Sequence, residues 1–157
     1  MNDRGTTQAD VKLADQLLGL LPRLGQVWAS AVHETGTASV VRMKVLGMLA
    51  RSGPTRAGEL AAFCSITPSA MTELIEGLVD DGRARRDPDP TDRRAVLIAV
   101  TSEGQSEVDR VVAIARTNVL ELIDRLGPEQ RVRLGAALAD LNDAFTAHHQ
   151  KETRNVR

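Results

Sequence analysis

The sequence predicts a mainly α fold (α+β), with long helices at both ends of the chain and a cluster of short helices followed by one β-hairpin between them. Three observations predict it. Apolar residues recur at helical spacing over 8–34, 102–126 and 128–149. The period shortens to that of strands only between residues 83 and 100, around Asp-Pro turn chemistry. The 157 residues, 42% hydrophobic and 26% charged, suit one globular domain or one domain with an extension, and exclude collagenous or disordered chains.

Residues 1–7 are small and polar. In the helix that follows, Val11, Ala14, Leu18 and Leu21 form one stripe, and Leu13, Leu17, Leu20, Leu24, Val27, Trp28 and Ala31 form another. A helix on a protein surface needs one apolar face. Two faces predict burial on two sides, in a large core or between subunits, and Pro22 should bend the helix. Thr35-Gly36-Thr37 breaks it. A second helix, 39–51, is expected to turn Val41, Val45, Met48 and Leu49 inward, and Ser52-Gly53-Pro54 ends it. A short helix, 56–63, carries Ala57, Leu60 and Ala61. After a tight connection, Thr67 caps a further helix with Pro68 at its first position. Met71, Leu74, Ile75 and Leu78 are its inner face, and Gly82 stops it. Residues 83–86 and 95–100 are strands about the turn 87–92. Thr101 caps a helix with Val108, Val111, Val112, Ala115, Val119, Leu122 and Ile123 in its stripe. Gly127-Pro128 separates it from a last helix expected to bury Leu134, Ala137, Leu138, Leu141 and Phe145, with a polar tail at 150–157.

The function classes narrow by what is missing. Formal net charge is −1, so binding to a polyanion would have to come from local charge. With no tyrosine and only Trp28, Phe63 and Phe145 aromatic, stacking platforms for single strands are not expected. The single cysteine, Cys64, makes no internal disulfide or cysteine-based zinc site, and His33, His148 and His149 lack metal-ligand spacing. No metal, cofactor or catalytic constellation is expected. No apolar run reaches a membrane span and the first residues are polar, so no membrane or secretory role is expected and the cytoplasm is the default compartment.

Residues 53–101 carry the function. A short helix, a tight turn and a second helix with a small, polar first turn form a helix–turn–helix whose second helix fits the major groove. Pro68, Ser69, Ala70, Thr72 and Glu73 face outward there. The hairpin after it is a wing with Arg93 and Arg94 at its tip, and narrow A·T-rich minor grooves attract arginine.

These residues resemble the multiple-antibiotic-resistance-regulator (MarR) family of winged helix–turn–helix regulators. The resemblance runs through Gly53-Pro54, Gly58-Glu59-Leu60-Ala61, Thr67-x-Ser69 and Met71-Thr72-x-Leu74-Ile75-x-x-Leu78 to Gly82. It is densest in Arg85-Arg86-x-Pro88-x-Pro90-x-Asp92-Arg93-Arg94-Ala95-x-Leu97, then Val100-Thr101-x-Glu103-Gly104. It implies a winged helix–turn–helix lobe (35–101) between an N-terminal dimerisation helix (1–34) and C-terminal dimerisation helices (102–149). It also implies a homodimeric, ligand-responsive repressor that binds a pseudo-palindrome in double-stranded DNA. Arg94 would enter the minor groove, Asp92 would orient the wing arginines, and Ser69 and Thr72 would meet bases or phosphates. Arg85 and Arg86 would add DNA contacts. Trp28 is either packing in the core or dimer, or part of a pocket with His33 and Met48 for a small aromatic or anionic effector.

The chain departs from that pattern in two places. Between Thr67 and Gly82 there is no lysine or arginine, while Glu73, Glu76, Asp80 and Asp81 are acidic, so arginine–guanine readout is absent from this helix. Arg56 stands where the short helix is usually capped by Thr or Ser and is expected to contact a phosphate instead; affinity is expected to lean on the wing arginines, with Arg42, Lys44 and Arg56 as helpers. Residues 51–99 hold seven arginines (51, 56, 83, 85, 86, 93, 94) against eight acids (59, 73, 76, 80, 81, 87, 89, 92), so modest affinity and shape-weighted A·T preference are expected. Glu73 could pair with a wing arginine. The acidic helix leaves one alternative open, a winged-helix protein-interaction module that binds no DNA. Cys64 falls at a buried apolar position and is expected to act as a small hydrophobe.

Overall fold

The computed structural model describes residues 6–36, 39–92 and 94–155, with side chains as far as Ala147. The readings made on Thr37, on Arg93 and on the side chains of His148 and His149 lie outside the described residues. The chain divides into two compact units, residues 1–116 and 117–157.

In the first unit, α1 (Gln8–Glu34) opens with a reciprocal cap. The Thr7 hydroxyl accepts from the Asp10 N–H at 3.2 Å, and the Asp10 carboxylate accepts from the Thr7 N–H at 2.8 Å. The helix continues through Pro22, and only Ala31 and Val32 near its end are buried. The leucines of its first two-thirds are exposed on this chain, Leu18 at 62% and Leu21 at 60%.

The compact lobe follows. It consists of α2 (Val40–Ser52), β1 (Thr55–Arg56), α3 (Ala57–Cys64), α4 (Pro68–Asp80), β2 (Ala84–Pro88), β3 (Val96–Val100) and the first part of α5 (Ser102–Ile123). Its core joins Met43, Val45, Leu46 and Leu49 of α2 to Leu60, Met71, Ile75, Leu78, Ile98 and Val111. Two expectations for α2 are corrected here. Val41 is exposed and Met48 only half-buried, while Met43 and Leu46 are inside. The physical reason is that α2 has no clear apolar face: Arg42 interrupts one side as Lys44 and Arg51 interrupt the other, so packing and not periodicity chooses its inner side. Leu74 of α4 is likewise half-buried.

The sheet has three strands in the order β1-β3-β2, all antiparallel. Thr55 pairs with Ile98 and Arg56 with Leu97, so a two-residue strand ties the start of α3 to the wing. The turn between α3 and α4 places Ser65 in the left-handed region at φ 56°. Thr67 then caps α4 by accepting from the Ala70 N–H at 3.2 Å, with Pro68 in the first turn.

The second unit contains the end of α5 and α6 (Pro128–Asn155). Gln130 caps α6 by accepting the Gly127 N–H at 2.8 Å, and Arg131 pairs with Asp124 at 3.3 Å. The helix extends to Asn155, past the expected end at 149. Its apolar residues are not buried within the chain: Leu134, Leu138 and Phe145 are exposed, Ala137 is exposed and Leu141 is half-buried.

Candidate nucleic-acid interface

The outer face of α4 is built by its cap. Because Thr67 and Pro68 fix where the helix starts, Pro68, Ser69, Ala70, Thr72 and Glu73 all fall on the solvent side. The Thr72 hydroxyl donates to the Pro68 carbonyl at 2.9 Å, so its proton is held within the helix and its oxygen stays free to accept. Glu73 makes no ion pair among the described residues, so pairing with a described wing arginine does not occur.

The wing is held by its own carboxylates. Asp92 accepts the Arg94 N–H at 3.0 Å, an Asx-type turn, and the Ala95 N–H donates to the Asp92 carbonyl at 2.9 Å. Asp92 therefore shapes the backbone under Arg94 and leaves the Arg94 guanidinium exposed, without a partner among the described residues. In β2, Arg86 also projects into solvent unpaired among those residues. Arg85 differs: its Nε lies 3.1 Å from Asp87 and its Nη1 donates to the Val100 carbonyl at 3.1 Å. Arg85 is committed to the sheet, although 56% of its side chain is accessible.

The three helper cations are all engaged within the chain. Arg56 pairs with Asp89, Nη2 at 2.6 Å and Nε at 3.0 Å from one carboxylate oxygen. Arg42 pairs with Asp81 at the end of α4. Lys44 sits 4.9 Å from the centre of the Phe63 ring, a cation–π contact. Sequence reasoning missed these because their partners lie elsewhere in the chain, 33 residues away for Arg56 and 39 for Arg42.

The expected pocket residues separate. Trp28 lines a cavity of about 400 Å³ with Met43, Lys44, Gly47, Arg51, Phe63, Val108 and Val112. His33 lines a different, more open one with Ser30, Val32, Ser39 and Val40. Met48 lines neither and packs against the core. The two cations at the Trp28 cavity, Lys44 and Arg51, were not singled out from the sequence for that place. Burial raises the Cys64 thiol above its ordinary value, with Lys44 opposing weakly, so the neutral thiol dominates.

A three-stranded sheet with a turn-shaped wing beside a capped, small-faced second helix defines a winged helix–turn–helix regulator. Comparison with known proteins makes this specific. The MarR family model matches residues 39–96. An uncharacterised HTH-type transcriptional regulator of Mycobacterium leprae is 31% identical over 118 residues, covering 75% of this chain and 80% of its own length. The crystal structure of the Rv1404 protein of Mycobacterium tuberculosis superposes with a TM-score of 0.75 at 27% identity, over 89% of this chain and 95% of that one. The apo form of Escherichia coli MarR shares the fold, at TM-score 0.69 and 20% identity over 82% of this chain and 96% of that one. The chain belongs to the MarR family of transcriptional regulators, which are not enzymes. No helix among the described residues is long and apolar enough to cross a membrane.

Proposed function

We propose that two copies of this chain form a homodimer that binds a pseudo-palindromic operator in double-stranded DNA and acts as a repressor. The observation that carries the reading is Arg94, exposed and without a partner among the described residues, on a carboxylate-shaped turn in the same lobe as the open face of α4. Each α4 enters a major groove through Pro68, Ser69, Ala70, Thr72 and Glu73, and the two helices meet the duplex about 34–36 Å apart. Arg94, with Arg93 and Arg86, reaches the flanking minor groove. With no basic residue on α4, sequence preference comes from groove width more than from guanine contacts.

Dimerisation is supported by the exposed leucines of α1, Leu17, Leu18, Leu20, Leu21 and Leu24, together with Leu138 and Phe145 of α6. Exposed apolar faces of this kind, one on each unit, mark interfaces. Helix 8–34 and the helices of 102–149 are the dimerising parts, and 35–101 is the DNA-binding lobe. The Trp28 cavity, apolar with Lys44 and Arg51 in its lining, suits a small aromatic anion as effector. Such a ligand acts through its difference in affinity between lobe spacings.

The acidic run Glu73, Glu76, Asp80 and Asp81 favours a second reading, a protein-interaction module. Fluorescence anisotropy of a labelled operator decides between them. Arg94→Ala is expected to weaken binding and to lower the slope of log K against log salt by about 0.9, one phosphate's worth of counterion. Unchanged affinity and slope would falsify the wing assignment, and absence of duplex binding by the unaltered chain would favour the protein partner.

A further inference from the structure

Besides the β1–β3 pairing, a side-chain link fastens the wing to the helix–turn–helix. Arg56 is the last residue of β1 and the residue before α3, yet its side chain makes no helix cap. Its guanidinium grips Oδ2 of Asp89 through Nε at 3.0 Å and Nη2 at 2.6 Å. The other Asp89 oxygen accepts the Thr91 N–H at 2.8 Å and the Thr91 hydroxyl at 2.6 Å. The Asp89 N–H in turn donates to the Ala95 carbonyl at 3.2 Å, closing the neck of the hairpin. Only 5% of the Asp89 side chain is accessible. One carboxylate therefore joins the start of α3, the neck of the wing and its tip turn.

We propose that Arg56 and Asp89 form a strut that fixes the angle of the wing against the helix–turn–helix, making both positioning residues for DNA binding. This rests on the reading that the wing grips a duplex. Arg56 then acts through Asp89 and not as a phosphate contact, and Asp89 is required although its charge alone repels DNA. The Thr91 hydroxyl and Arg56 hold the Asp89 carboxyl far below the ordinary carboxylate range, so the strut stays ionised near neutral pH. A buried carboxylate stripped of its cation is a poor anchor, so losing either partner releases the wing.

The test is operator anisotropy with Arg56→Ala, Asp89→Asn, the double variant and Arg56→Lys, together with hydrogen exchange at the Thr91 and Arg94 amides. The strut predicts that Asp89→Asn weakens binding by about tenfold, the scale of one lost arginine contact. Arg56→Ala should do the same, the double variant should be no worse than either, and both wing amides should exchange faster. Arg56→Lys keeps the charge but loses the fork, so it too should weaken binding; this arm stands even if Asp89→Asn does not fold. Asp89→Asn binding as tightly as the unaltered chain or more so, or Arg56→Lys behaving as wild type, overturns the strut. If the unaltered chain ignores duplex DNA, the underlying reading fails instead.

Discussion

Replacing Gly104 with alanine tests the joint between the wing and α5. A Cβ at Gly104 would stand 2.1 Å from the Arg83 carbonyl oxygen and 2.9 Å from a methyl of Val100. Carbon contacts are comfortable near about 3.5 Å, so backbone must separate by more than an ångström. That movement pulls on the Thr101 N–H bond to the Arg83 carbonyl at 3.1 Å and the Thr101 hydroxyl bond to the Gly82 carbonyl at 2.7 Å. Overpacking costs about 1–3 kcal/mol, and each of the two hydrogen bonds adds about 1 kcal/mol. The sum is about 3–5 kcal/mol, and at about 2–4 °C per kcal/mol for a chain of this size the Tm should fall by about 6–20 °C. Thermal unfolding by circular dichroism at fixed protein concentration measures it. Gly58→Ala, on the open side of α3 with nothing within 4 Å, is the control and should be neutral or slightly stabilising. A Gly104→Ala protein melting within about 2 °C of wild type would refute the close approach and the reasoning built on it.

Other expectations follow from the same geometry. Leu17→Asp with Leu24→Asp on α1 should halve the mass seen by light scattering while leaving the helical signal of the lobe intact; an unchanged mass would remove α1 from the interface. Asp89 titrates lower in the folded chain than in the unfolded one. Its contribution to stability is thus complete above the unfolded value near about pH 4 and is lost as pH falls below it. Denaturant titrations should show a shallower acid decline for Asp89→Asn than for wild type, and parallel declines would contradict the assignment. Cys64, its thiol raised by burial, should alkylate slowly at neutral pH and faster only as pH rises; rapid labelling at pH 7 would point to an activated thiolate.

Much of the lobe was legible because its signals are local. Thr67-Pro68 announces the start of α4, Gly82 its end, and Thr101 the cap of α5, whose hydroxyl accepts the Gly104 N–H at 3.1 Å. Gly104, one residue in the family resemblance, acquires its reason only from the Arg83 backbone packed against it. What stayed hidden depends on partners distant in sequence. β1 is two residues long, too short for any period, and exists because β3 offers Ile98 and Leu97 beside it. Arg56 read as a free cation since nothing near it in sequence forecasts Asp89. In α2 apolar residues on every side, interrupted by Arg42 and Lys44, left Met43 and Leu46 indistinguishable from Val41 and Met48. The double stripe of α1 was visible, but its leucines, like Leu138 and Phe145 of α6, remain exposed on one chain. α6 continues to Asn155 without apolar repetition, where periodicity has nothing to follow.

Paired chains gripping one duplex are tested most directly by selection of bound DNA from a random pool, with the mass of the resulting complex. The expected outcome is A·T-flanked inverted repeats with half-site centres about one helical turn apart, each duplex carrying two chains. Recovery of no enriched sequence at low salt, or of single half-sites carrying one chain, would contradict it.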